Sequence, residues 1–336
     1  MAYTTIKKPT DYFNTKLYTG TGSSNAITGV GFQPDWVWTK KRNSTSNHHA
    51  FDAIRGVTKV LKPNENEAET TVATTLTAFD SDGFTVGSDS SVNGNTDTIA
   101  SWNWKANGAG SANTDGSLNS TVSVNTTAGF SIVKWTNGTS SVQTIGHGLG
   151  VAPKMIIMKV LGNTGSWNTY HESIGNTHGL YLNSTAASED NAAFWNDTSP
   201  TSTVFTTGTN GNLVNNTLVA YCFAEKFGYS KFGKYSGNNN ANGTFVYTGF
   251  KPAFVMMKVR DGISDWSIFD NKRLGYNTSN RGLKPNSNAA DETIAIDLLS
   301  NGFKPRTTSD KVNNGNYIFM AFAAEPLVGD NPATAR

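Results

Sequence analysis

Cysteine, charge and long apolar runs are all scarce in this sequence. Cys222 is the single cysteine, so no disulfide framework forms within one chain. Its place in the run Leu218-Val219-Ala220-Tyr221-Cys222-Phe223-Ala224 reads as that of a small core residue. Only 15% of the 336 residues are charged, the formal net charge is +2, and the lysines and arginines are scattered. That excludes the concentrated positive field by which proteins bind nucleic acid or anionic membranes. No apolar run approaches transmembrane length, and residues 1–11 lack the apolar region of a secretory signal. The expectation is a protein made in a cytoplasm, without membrane insertion.

Catalytic patterns are missing as well. There is no Gly-x-Ser-x-Gly elbow, zinc signature or Walker loop. Acidic residues are too dispersed to nominate a glycosidase pair; Glu225 and Glu325 each stand alone, just past a predicted strand. His48 and His49 are neighbours, and on a strand they point to opposite faces, so they do not chelate one metal together. The glycines around His147 are followed by a strand rather than by the helix a phosphate-cradling loop needs. The sequence therefore predicts a protein that is not an enzyme, with no catalytic residue, metal or cofactor.

What the sequence does contain is repetition. Gly31-Phe32-Gln33-Pro34-Asp35-Trp36-Val37-Trp38-Thr39-Lys40 returns as Gly148-Leu149-Gly150-Val151-Ala152-Pro153-Lys154-Met155-Ile156-Ile157-Met158-Lys159, and again as Gly249-Phe250-Lys251-Pro252-Ala253-Phe254-Val255-Met256-Met257-Lys258. Each copy is a glycine-bearing turn, a proline, an apolar run of β-formers and a lysine, the pattern of a strand entered from a tight turn. Apolar residues fall on both faces of that strand, so it should be central and covered on both sides. The copies recur about every 100 residues, an ordinary size for a β-sandwich.

The predicted fold is accordingly all-β: three tandem antiparallel β-sandwich modules of jelly-roll or lectin-like type, with irregular arms. An N-terminal arm (1–12), free to dock on a neighbour, precedes module one (13–106). A Gly/Ser/Thr/Asn-rich linker (107–128), part of which is able to pair as an edge strand, leads to module two (129–226). Module three (227–325) and a C-terminal arm (326–336) complete the chain. His48, Trp167 and Trp266 align between copies, as do Leu61-x-x-Asn64, Leu180-x-x-Asn183 and Leu283-x-x-Asn286, where an asparagine capping its own turn accounts for the agreement.

Two sets of residues are candidates for a site. Asp52-x-x-Arg55 recurs as Asp270-x-x-Arg273, while module two carries His171 at the aspartate position. The alternatives are a polar site in modules one and three or a surface ion pair of little energetic weight. Trp195, Tyr276 and Tyr229, outside the predicted strands, are candidate rings for stacking on a sugar, set against the commoner role of loop anchors.

The repeat, together with Phe51-Asp52-x-x-Arg55-Gly56, Ser81-Asp82-Gly83-Phe84-Thr85-Val86-Gly87, Trp102-x-Trp104-Lys105-Ala106 and Val219-Ala220-Tyr221-Cys222-Phe223-Ala224-Glu225, resembles the β-modules of tail-fibre and other virion proteins of marine and cyanobacterial phages. The likeness covers essentially the whole chain and assigns no functional residue. It implies a concanavalin-A-like fold, a place on the virion, assembly as a homo-oligomer (a trimer by preference) with other virion proteins, and attachment to a host-surface glycan. A decoration protein of capsid, collar or tail is the alternative, and a glycan depolymerase a more distant one.

Overall fold

The computed structural model describes residues 4–138, 142–210, 213–273 and 279–326. It is an all-β protein built from several antiparallel sheets, with only single-turn helices at Ser90–Asn93 and Ala192–Trp195 among its described α-helices.

One four-strand pattern occurs three times. In module one a lead strand (Phe13–Thr19) pairs with a closing strand (Thr98–Trp104), the closing strand with the repeat strand (Trp36–Lys41), and the repeat strand with a flanking strand (His49–Asp52). The same order runs through Phe130–Thr136, Thr217–Phe223, Met155–Val160 and Asn168–His171 in module two. In module three it runs through Ser230–Ser236, Asn316–Pro326, Phe250–Val259 and Ser267–Asp270. Gly31, Gly150 and Gly249 stand three residues before the repeat's proline, with φ of 92°, 72° and 84°. A side chain disfavours that left-handed backbone, which is why glycine holds the turn in all three copies.

The predicted two-sided burial is present, and its two sides differ in kind. Because strand side chains alternate between faces, Val37, the pair Ile156 and Met158, and the pair Val255 and Met257 point outward. Each group packs in its own module's core, under outer strands such as Asn25–Thr28 with Gly83–Val86, Gln143–Gly146 with Val204–Thr207, and Glu292–Leu299 with Gly302–Pro305. Trp36 and Trp38, Met155 and Ile157, and Phe254 and Met256 point the other way, into one core shared by all three modules. There the Trp36 ring stacks on Tyr221 with centroids 4.2 Å apart, Phe13 stacks on Phe322 at 5.1 Å, and Phe223 meets Phe322 at 6.0 Å. Cys222 is buried in module two's own core.

The N-terminal arm departs from the expectation of a free segment, whereas the 107–128 segment pairs as an edge, as its composition allowed. The N-terminal arm does not stand off to meet a neighbour. Ile6 lies in the common core, Pro9 is buried in the short 3-10 turn Pro9–Asp11, and the Tyr12 ring packs edge-on to Tyr229 at 6.1 Å. The 107–128 segment supplies two strands, Ser111–Asn113 and Ser120–Asn125, the second pairing along the outer edge of the Phe130–Thr136 lead strand. With His178–Tyr181 and Glu189–Asp190 at the far side, it extends module two's inner sheet to eight strands. Residues 327–336, most of the predicted C-terminal arm, lie outside the described residues.

Candidate functional site

The charged residues singled out by sequence occupy the seams between modules. Asp52 and Arg55 are a buried pair, with Arg55 Nε donating to Asp52 Oδ2 at 2.5 Å and side chains 0% and 1% exposed, so the surface ion pair is corrected. Arg55 also donates to Glu69 and to the carbonyls of Lys59 and Ala50. Burial opposes the Arg55 charge, but Asp52, Tyr221 and Glu69 outweigh it and raise its pKa above the usual value. Asp52 Oδ2 also accepts from the Tyr221 hydroxyl of module two at 2.8 Å. In module three, Arg273 binds Asp270 at 2.7 Å, and Asp270 Oδ2 accepts from Trp102 Nε1 of module one at 3.1 Å.

His171 completes the cycle and explains why module two departs from the aspartate pattern. The residue of module three aligned with Tyr221 and Trp102 is Met320, which has no hydrogen to donate. His171 Nδ1 accepts from the Ser173 amide, so Nε2 carries the proton and donates to the Phe319 carbonyl of module three at 3.1 Å. Burial lowers its pKa to about 4, which keeps it neutral near pH 7.

Three further sets of bonds repeat the cycle. Trp167 Nε1 donates to Lys62 O, Trp266 Nε1 to Tyr181 O, and His48 Nε2 to Lys284 O, at 3.0, 3.0 and 2.9 Å. His48 holds the required tautomer because its Nδ1 accepts from Trp38 Nε1. The amides of Gly165, Ser264 and Ser46 donate to Asn66, Thr185 and Asn288. Those of Glu69, Ser188 and Asp291 donate to Leu161, Arg260 and Arg42. The aligned asparagines do not merely cap their own turns: Asn64, Asn183 and Asn286 accept from the amides of His48, Trp167 and Trp266 and so brace each flanking strand. The repeat lysines Lys40, Lys159 and Lys258 are buried beside these seams, and burial lowers each pKa to about 8.

The candidate sugar rings fare less well. Trp195 and Tyr229 are each 1% exposed, Trp195 against Tyr170 and Tyr229 against Tyr12 and Phe322, so neither offers a face to a sugar. They are the loop anchors of the alternative reading. Tyr276 lies outside the described residues. The exposed rings include Phe227, Phe245 and Tyr247, which sequence reasoning did not single out.

An open groove of about 490 Å³ lies where the added strands of module two overhang module one. Ala112, Thr121 and Lys134 are paired across three strands and so share one face, the face that continues through Val219 into the common core. Thr136 and Thr217 carry the row outward, and Ile54 of module one closes the opposite side. No group of three or more His, Cys, Asp or Glu placed to hold a metal occurs among the described residues, and no described helix is long and apolar enough to cross a membrane. The groove offers hydroxyls, an amide, aliphatic carbon and one ammonium group.

Residues 8–326 match the family described as a domain of unknown function, DUF7483. The chain belongs to that family. DUF7483 thus spans all three modules and the seams between them as one unit of sequence. Comparison with curated proteins and with solved structures finds no match.

Proposed function

We propose that this chain is a non-catalytic virion structural component of tail-fibre type, made of lectin-like β-sandwich modules, carried in several copies among other virion proteins and touching host-surface glycan. The observation that carries this reading is the use of its buried charged groups. Asp52, Arg55, Asp270, Arg273 and His171 join module to module around a common core. None of them converges on a groove in the manner of an acid–base pair. What faces outward is sparse in charge and rich in Asn, Thr and Ser, which suits many weak contacts multiplied by copy number.

The test is immunogold labelling of purified particles, combined with competition of host adsorption by the isolated protein. Labelling of a fibre and dose-dependent competition are expected. Absence of the protein from purified particles would refute the reading, whereas labelling without competition would reduce it to a structural decoration. Release of reducing ends from host polysaccharide would overturn its non-catalytic part.

A further inference from the structure

We infer that the groove between the 107–128 strands and Ile54 is a binding site for a carboxylate-bearing saccharide, with Lys134 as the acid-recognising group. This rests on the attachment reading above and names the ligand class for it.

Three observations carry the inference. First, the groove departs from the threefold plan: its outer wall is the pair Ser111–Asn113 and Ser120–Asn125, added to the lead-strand edge of module two. In modules one and three the described lead strands are terminal in their sheets, so these strands are not required by the closure of the fold. Second, Lys134 has no carboxylate partner among the described residues, although it sits half-buried in the middle of the row. Its equivalent in module three's lead strand, Lys234, is likewise without a carboxylate partner among the described residues but stands exposed, whereas Lys134 is partly enclosed by the groove. Third, Thr121 stands beside Lys134 on the same sheet face and Asn119 lines the groove next to it, both with uncommitted polar groups, while Ala112 on that face and Ile54 on the opposite side supply carbon surface.

A sugar ring presents both chemistries, hydroxyls at its edge and C–H groups on its faces, and a carboxylate on that ring gives the ammonium a partner. Neutral sugars satisfy the hydroxyls but leave Lys134 unmatched. An isolated inorganic anion satisfies Lys134 but leaves the rest of the groove unused. A volume of about 490 Å³ lies within the usual range for small-ligand sites.

The experiment is a titration of the full chain with D-glucuronate, D-glucose and inorganic phosphate, followed by NMR chemical-shift changes and calorimetry, on wild type, Lys134→Met and Thr121→Val. Glucuronate should bind, with glucose and phosphate each weaker by about tenfold, and Lys134→Met should lose about tenfold in glucuronate affinity at an unchanged unfolding temperature. Thr121→Val should weaken glucuronate severalfold and leave the fold intact. Equal binding of glucose and glucuronate, binding of phosphate as tight as glucuronate, or an unaffected Lys134→Met would overturn the inference. Host adsorption competed by the protein without any glucuronate binding would overturn it while leaving the attachment reading standing. Failure of both adsorption and binding would remove both.

Discussion

The seam between modules one and two makes a quantitative demand on the pair Asp52 and Tyr221. Asp52 takes the Arg55 amide on Oδ1, and on Oδ2 it takes both Arg55 Nε and the Tyr221 hydroxyl. Asp52→Ala leaves the buried Arg55 guanidinium with Glu69 and two carbonyls, and removing one partner of such a pair costs about 4 kcal/mol. Tyr221→Phe deletes one hydrogen bond to a carboxylate that keeps its other donors, a loss of about 1 kcal/mol. Because the two side chains touch directly, the double variant should fall short of the sum by about 1 kcal/mol. The assay is urea unfolding followed by tryptophan fluorescence and by far-UV circular dichroism. Both probes should report one transition, and Asp52→Ala should lower the midpoint for the whole chain, or the melting temperature by about 6 °C given roughly 0.7 kcal/mol per K for a chain of this size. Strict additivity would deny the contact its role. An early, separate transition confined to module one would refute the shared core itself.

Three further outcomes follow from the same geometry. Ile6→Ala should destabilise the whole chain by about 2–4 kcal/mol in the same unfolding assay, and deletion of residues 1–12 by more; unaltered stability would return these residues to the status of a free arm. Lys159 is held below its ordinary pKa by burial alone, so its charged form burdens the native state below about pH 8, and stability should rise as pH climbs from about 8 towards 10.5. Lys159→Met should be more stable than wild type at pH 7 and lose part of that rise, which a pH series of urea midpoints would reveal; a less stable variant would contradict this. For His171 the sign is read from a folded pKa of about 4 below an ordinary value near 6.5: the unfolded chain takes up the proton first, and stability drains away as pH falls through that interval. His171→Gln should flatten the decline by up to about 1.4 kcal/mol per pH unit, measured by thermal melts between pH 7 and 4; an unchanged slope would clear His171 of that role.

Much of this architecture is legible because the chain repeats itself. The repeat strand, its glycine turn and its burial on both faces follow from Gly31, Pro34 and the Trp36-Val37-Trp38 alternation and their two later copies. What the sequence conceals is which surface covers the inner face. Trp36 is apolar in the same way whether it meets its own outer sheet or Tyr221 of the next module, and local pattern does not separate the two cases. The charged pairs mislead for a related reason, since Asp-x-x-Arg at a strand end reads as surface chemistry until the neighbouring module is laid over it. The exchange of aspartate for His171 opposite Met320 was available in the sequence as a paired change, but it acquires meaning only once those positions are known to face each other. The groove escaped notice because Thr121 and Lys134 carry no motif; register alone brings them side by side.

Closing a ring of modules also fixes an order of events during synthesis. The seam between the first and third modules joins Arg42 to Asp291, so it stays open until module three has left the ribosome. Until module two folds against it the nascent first module displays Trp36, and until module three follows Trp102 and Trp104 lack the cover of Phe254 and Phe322. Fragments stopped after either of the first two modules are therefore sticky intermediates that call for chaperones, and premature termination yields aggregates rather than a shorter working protein.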